Sequence, residues 1–89
     1  MEWTWDEGKA ASNVRKHGVP FEVAADAVED ELALSLEDDH PDGDRWRTVG
    51  MAAGVLLFVV HTVNSDGTSG RVISARRATP AERRAYEQY

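Results

Sequence analysis

Three groups of residues in this chain have the types and spacing to handle a phosphodiester. Lys16 and His17 stand side by side just before Gly18. Arg76 and Arg77 close an apolar stretch just before Thr79-Pro80. Arg45 and Arg47 bracket Trp46. A guanidinium presents a planar fork that matches two phosphate oxygens. An imidazole or an ammonium can take or give a proton near neutral pH when its surroundings tune it. Such groups together could bind a phosphodiester, offset charge developing on its oxygens, and move a proton. Arg83 and Tyr86, three residues apart near the C-terminus, can share a helix face and add a cation and a phenol.

Each group also has a plainer use. Lys16-His17 at a helix exit would favour the helix dipole and bond the last carbonyls. Arg76 could be a solvated strand end paired with an acid. Neighbours on a strand point to opposite faces, so one of Arg76 and Arg77 lines a given site, and Arg76 is the choice for its cation. Arg47 is a second phosphate candidate, and Arg45 shares its face. Tyr86 could stack on a base or donate to phosphate, or pack on a sheet with its hydroxyl at the rim. Glu82 reads mainly as a helix cap, His61 as a satisfied core histidine, and Trp3 and Trp5 as core or partner surface.

Other chemistries find no support. The chain has no cysteine, which removes disulfides and thiolate metal ligands. The stretch from Asp38 to Asp44 loosely resembles a calcium loop, but Val49 occupies the twelfth position, where a bidentate Glu would be needed. No zinc-protease, P-loop or nucleophile-elbow motif occurs. No cofactor and no metal are expected. The longest apolar run, Val55 to Val60, is far short of the roughly 20 residues that span a bilayer. No secretory leader pattern opens the chain, so a cytoplasmic location is expected.

The net charge of −6 argues at first against a polyanionic partner. Its distribution changes that reading. Residues 29–44 hold eight acids and no Lys or Arg, whereas the last nineteen residues carry five Arg against two Glu. Partners feel the local field.

The elements that must position these groups follow from periodicity. Trp3 to Trp5 alternates as a short strand. Asp6 caps a helix at 7–17, with Ala10, Val14 and His17 on one face and Gly18 as its left-handed terminator. A second helix begins with Pro20 in its first turn, carries Phe21, Ala24, Ala25 and Val28 on one face, and ends near Glu29. Leu32 to Leu36 alternates as a half-buried strand. A loop at 37–44 leads to a strand at 45–52, a turn at Ala53-Gly54, a central apolar strand at 55–63, a loop at 64–70 and a strand at 71–76. Thr79-Pro80-Ala81-Glu82 is a capping box that opens a last helix at 80–88. The order implies one α+β domain over 1–89: a helical hairpin and a C-terminal helix packed on an antiparallel meander.

Three blocks, in order, then carry a family resemblance. The first runs from Trp5-Asp6-Glu7-Gly8-Lys9 through Asn13-Val14-Arg15-Lys16-His17-Gly18-Val19 to Phe21-Glu22-Val23-Ala24. The second is Asp44-Arg45-Trp46-Arg47-Thr48-Val49-Gly50-Met51 with Leu57-Phe58-Val59-Val60-His61-Thr62. The third is Arg71-Val72-Ile73-Ser74-Ala75-Arg76-Arg77-Ala78-Thr79 with Glu82-Arg83-Arg84-Ala85-Tyr86-Glu87. In this spacing the chain resembles the BrnT toxins of type II toxin–antitoxin systems. The resemblance implies a compact fold similar to the RelE toxins and a ribonuclease activity that stops translation. It also implies a ribbon-helix-helix antitoxin, BrnA, in a heterotetramer that reaches DNA through the antitoxin alone. Departures are a glycine, Gly8, inside the first helix and an acidic central loop.

RNA cleavage without a metal uses the 2′-hydroxyl as nucleophile, with a base, an acid and cations around the phosphorus. Lys16, His17, Arg76 and Tyr86 are the catalytic candidates, and Arg45, Arg47 and Arg83 the candidates for RNA phosphate binding. The competing expectation is an inactive module that only binds an antitoxin-like, DNA-binding partner and tunes repression.

Overall fold

The computed structural model describes residues 1–88. Five strands form one mixed sheet in the order β1-β5-β4-β3-β2: β1 Glu2–Thr4, β2 Leu34–Glu37, β3 Arg45–Ala52, β4 Val55–Thr62 and β5 Ser69–Arg77. Helices α1 (Glu7–His17) and α2 (Phe21–Val28) cover one face, and α3 (Pro80–Glu87) lies on part of the other. The chain is thus the α+β domain its periodicities predict.

Local chemistry explains the helix ends. The Asp6 carboxylate accepts the Lys9 amide at 2.9 Å and opens α1. Gly18, at φ 70°, closes it and donates its amide to the Val14 carbonyl. Pro20 is the N-cap of α2 rather than a residue of its first turn, because its ψ of 145° is extended. The Thr79 hydroxyl and the Glu82 carboxylate complete the capping box of α3.

Small residues seat α2 directly on the sheet. A Cβ on Gly50 would lie 2.0 Å from the Ala27 carbonyl oxygen. Phe21, Ala24, Ala25 and Ala27 therefore pack against Leu57, Val59 and Ala75 with no intervening layer. Trp3 and Trp5 join this core: Trp3 meets His61 edge-on with centroids 5.5 Å apart, and Trp5 meets Phe21 at 6.2 Å.

Two strand boundaries differ from the sequence reading, each for a visible reason. Leu32 stays outside β2 because the Asp30 carboxylate accepts the Leu32 amide at 3.0 Å and the Met51 amide at 2.8 Å. Asp30 thereby fills the ladder position that a longer β2 would have taken. β5 starts at Ser69 because the Asn64 side-chain oxygen gathers the Thr68 and Ser69 amides, ending the loop early. The sheet is also not a pure meander: β1 pairs with β5 in parallel, Trp3 opposite Gly70.

Beyond Thr4 that pairing is continued by a side chain. The Asn13 side-chain oxygen accepts the Ala75 amide at 3.1 Å, and its Nδ2 donates to the Ala75 carbonyl at 2.8 Å. Nδ2 also donates to the Val19 carbonyl at 2.9 Å. One buried amide thus stands in for a strand at the β5 edge and ties α1, the α1–α2 corner and the sheet together.

Candidate functional site

The strand registers decide which candidates share a face. Opposite pairs on adjacent strands point the same way. Val49, Phe58 and Arg76 form one row across β3, β4 and β5, and Arg47, Val60 and Ser74 form the next. Arg45 follows, opposite Thr62. Gly50, Leu57 and Arg77 belong to the other face, beneath the helical hairpin. Arg45, Arg47 and Arg76 therefore lie on the face away from α1 and α2, and Arg77 does not.

Arg76 is held more tightly than its neighbours. Its Nη1 and Nη2 donate to the two Glu82 carboxylate oxygens, each at 2.9 Å. Nη1 also donates to the Arg77 carbonyl at 3.1 Å. The guanidinium lies 4.1 Å above the centroid of the Phe58 ring. The Glu82 carboxylate makes the guanidinium hold its proton still more firmly, and Arg76 in turn holds Glu82 below the usual carboxylate range. These contacts use one edge of the guanidinium. Nε and the second proton of Nη2 have no protein partner among the described residues, and the side chain is 37% exposed. A second fork is left open to a ligand.

Lys16 and His17 sit at the exit of α1, exposed, where the sequence places them. They line a groove of about 190 Å³ with Lys9, Ser12, Asn13, Ile73 and Ser74. Ser74 precedes Arg76 by two residues on the same face of β5, a separation of roughly 7 Å. Arg76 itself does not line the groove, and its guanidinium turns instead toward Glu82 and the Phe58 ring. Lys9 was not singled out in the sequence; its position two helical turns before Lys16 is the signal that could have found it.

The remaining candidates are placed differently. Arg47 is exposed and roughly 12 Å from Arg76 between Cα atoms, two strands across and one row down. Its guanidinium reaches the Glu37 carbonyl at 3.3 Å and Asp38 at 3.5 Å. Arg45 pairs with Asp42 at 3.9 Å and Asp44 at 3.7 Å, and its Nε is buried without a hydrogen bond. Arg83 pairs with Glu87 at 3.9 Å and borders a separate groove of about 170 Å³ with Arg77. The Tyr86 hydroxyl donates to Asp30 Oδ2 at 2.6 Å, and that bond makes the phenol harder to ionise. Tyr86 anchors α3 to the turn after α2. The structure therefore sets Lys16 and His17 in a groove between α1 and β5, puts Arg45, Arg47 and Arg76 on the sheet face away from the helical hairpin, and pairs Arg83 with Glu87 and Tyr86 with Asp30.

His40, Asp42 and Asp44 place ligand atoms within 4.8 Å of one another. The Arg45 guanidinium already supplies positive charge to both carboxylates. His61 is buried, and burial disfavours its charged form. Its Nε2 meets the Thr48 hydroxyl at 2.7 Å, which meets the Ser35 hydroxyl at 2.7 Å. It is a satisfied core residue.

Fold and site together define a small α+β domain whose open sheet face and adjoining groove offer guanidinium, ammonium and imidazole groups to an anion. The family model described as ribonuclease toxin, BrnT, of type II toxin–antitoxin system matches residues 5–82 of the 89, and the chain belongs to that family. No curated protein matches it. No helix among the described residues is long and apolar enough to cross a membrane.

Proposed function

We propose that this chain is the endoribonuclease toxin of its system, cleaving RNA without a metal ion and neutralised by a ribbon-helix-helix antitoxin in a heterotetramer. The observation that carries the reading is the Arg76 guanidinium, locked by Glu82 yet part-exposed, two residues along β5 from Ser74 of the Lys16–His17 groove. A phosphodiester seated on the Nε–Nη2 edge would be gripped by a cation that needs little reorganisation.

In that position the 2′-oxygen attacks the adjacent phosphorus, the bond to the 5′-oxygen breaks, and a cyclic phosphate and a free 5′-hydroxyl result. One proton leaves the 2′-hydroxyl and one is delivered to the 5′-oxygen. The reading assigns this traffic to Lys16 and His17, and to Arg76 the charge on the phosphorane oxygens. Arg47 lies far enough away to hold a neighbouring phosphate of the same strand. The groups around the groove are cations and hydroxyls, and the one carboxylate nearby, Glu82, is already committed to Arg76 and to the Thr79 amide. This donor set favours phosphate over a divalent cation. Because Tyr86 and Arg83 are engaged elsewhere, the reading gives them structural roles.

The test is cleavage of a labelled RNA by the purified chain, with and without EDTA, and by Arg76→Ala and Arg76→Lys. Cleavage unaffected by EDTA and lowered about 10²–10³-fold by Arg76→Ala is expected. Arg76→Lys keeps the charge and loses the fork, so it should remain well below the parent. An unmutated chain that leaves RNA intact, and leaves growth unaffected on expression, would favour the inactive interaction module instead.

A further inference from the structure

β2 is the last strand of the sheet, and its outer edge is uncovered. The Asp38 amide donates to the Arg45 carbonyl at 2.9 Å, so alternation along the antiparallel pair turns Leu36 and Leu34 toward β3. The Ser35 amide and carbonyl and the Glu37 amide then face outward. Natural edges are usually blunted by lysine, proline, a bulge or a covering element. This one is four residues long and reads Leu-Ser-Leu-Glu, with one terminal charge as its guard and no lysine, proline or bulge.

Both sides of the edge offer apolar surface. On the face away from the helical hairpin, Leu36 is 57% exposed, and Leu32 just before the strand is 67% exposed. On the hairpin side, Ser35 forms part of the wall of an open groove of about 400 Å³ whose apolar lining is Val28, Trp46 and Val63. A strand added here would place alternate side chains on the leucines and toward this groove.

Charge selects the occupant. The stretch 29–44 that contains this strand holds eight acids and no Lys or Arg; Arg45 and Arg47 pair with Asp38, Asp42 and Asp44, which leaves the stretch net acidic. A nucleic acid is repelled, and a second copy would set eight acids against eight. We propose that the outer edge of β2 seats an extended segment of the protein partner, with alternating apolar residues flanked by lysine or arginine. This rests on the reading that the chain has an antitoxin. The seat lies at the opposite end of the strand order from β5 and the Lys16–His17 groove. Docking at β2 therefore leaves that groove open, and a segment that binds only there does not block it.

The test titrates the full, isotope-labelled chain with a synthetic peptide of alternating valine and threonine carrying two lysines at each end. Controls are the same peptide with glutamates at its ends and one with a central proline. Expected are amide shifts confined to residues 32–38, Trp46 and Val63, slowed exchange of the Ser35 and Glu37 amides, and at least tenfold weaker binding of both controls. Leu36→Asp changes an exposed side chain, and Glu37→Pro removes an outward amide and no ladder bond. Each should weaken the lysine peptide at least tenfold while circular dichroism stays unchanged. No binding at millimolar peptide, equal binding of the glutamate peptide, shifts centred on Arg76, self-association through β2 in sedimentation, or displacement of the peptide by an RNA oligonucleotide would each overturn the proposal. RNA cleavage measured with peptide bound separates the two readings. A chain that binds at β2 and cleaves nothing overturns the nuclease reading alone; one that cleaves and ignores the peptide overturns this one alone.

Discussion

One Glu82 oxygen serves two partners. Oε1 accepts from the Thr79 amide at 2.8 Å and from Arg76 Nη1 at 2.9 Å, so the cap of α3 and the orientation of Arg76 depend on one side chain. Replacing Glu82 by Gln keeps an acceptor for the Thr79 amide and removes the charge that fixes the guanidinium. Cleavage by Glu82→Gln should fall about tenfold through misplacement of Arg76, with the helix retained. Single-turnover rates alongside circular dichroism would show it; an unchanged rate would mean that Arg76 needs no such clamp. At this scale Arg76 has two readings from its sequence context, a phosphate cation or a strand end paired with an acid. The geometry accommodates both, because a guanidinium has two edges and Glu82 takes only one. Spacing can place Arg76 and Glu82 six residues apart, but it says nothing of which edge they share.

Among the elements, what was legible was what local chemistry controls. The Asp6 and Thr79 caps, the Gly18 terminator and the Thr79–Glu82 box each involve residues a few positions apart, and each helix forms close to where those signals place it. Pairings across long separations were not legible. The parallel contact of β1 with β5 joins residues 67 positions apart, and the Asn13–Ala75 bonds span 62. In the sequence Asn13 is merely a polar residue inside a helix, and only the sheet edge beside it reveals its use. The same holds for the site: Lys16-His17 and Arg76 were each visible as chemistry-bearing residues, but that Lys16 and His17 share a groove with Ile73 and Ser74 of β5 is set by α1 lying along that strand. Asn13→Ala would leave the Ala75 amide and carbonyl and the Val19 carbonyl short of partners in a buried place. An unsatisfied buried group costs about 1–3 kcal/mol, so a loss of about 2–4 kcal/mol is expected in urea unfolding. A loss below 1 kcal/mol would mean that solvent reaches this edge. Since Asn13 also lines the Lys16–His17 groove, cleavage should fall alongside stability.

Across the whole molecule, charge and burial make stability depend on pH in two stages. His61 is buried against Thr48 and Trp3, and desolvation lowers its pKa from the ordinary 6.5. The unfolded chain therefore takes up a proton near that pH when the folded chain does not, and stability declines as pH falls below about 6.5. The second stage belongs to carboxylates. Hydrogen bonds from Tyr86 and from the Leu32 and Met51 amides lower Asp30 from 3.8, and those from Arg76 and the Thr79 amide lower Glu82 from 4.5. Their contribution is present above those ordinary values and is lost as pH falls through the folded ones. Because Asp30 and Glu82 both hold α3, through Tyr86 and Arg76 respectively, acid should loosen that helix first. Thermal melts from pH 8 to pH 3 should show a level region, a decline starting near 6.5 and a second below 4.5. His61→Gln, which keeps an acceptor for the Thr48 hydroxyl, should flatten the first decline, and Asp30→Asn should blunt the second. A parent chain whose melting temperature is constant between pH 8 and pH 5 would mean that His61 takes up its proton as readily in the fold as in the unfolded chain, donating then to the Thr48 hydroxyl.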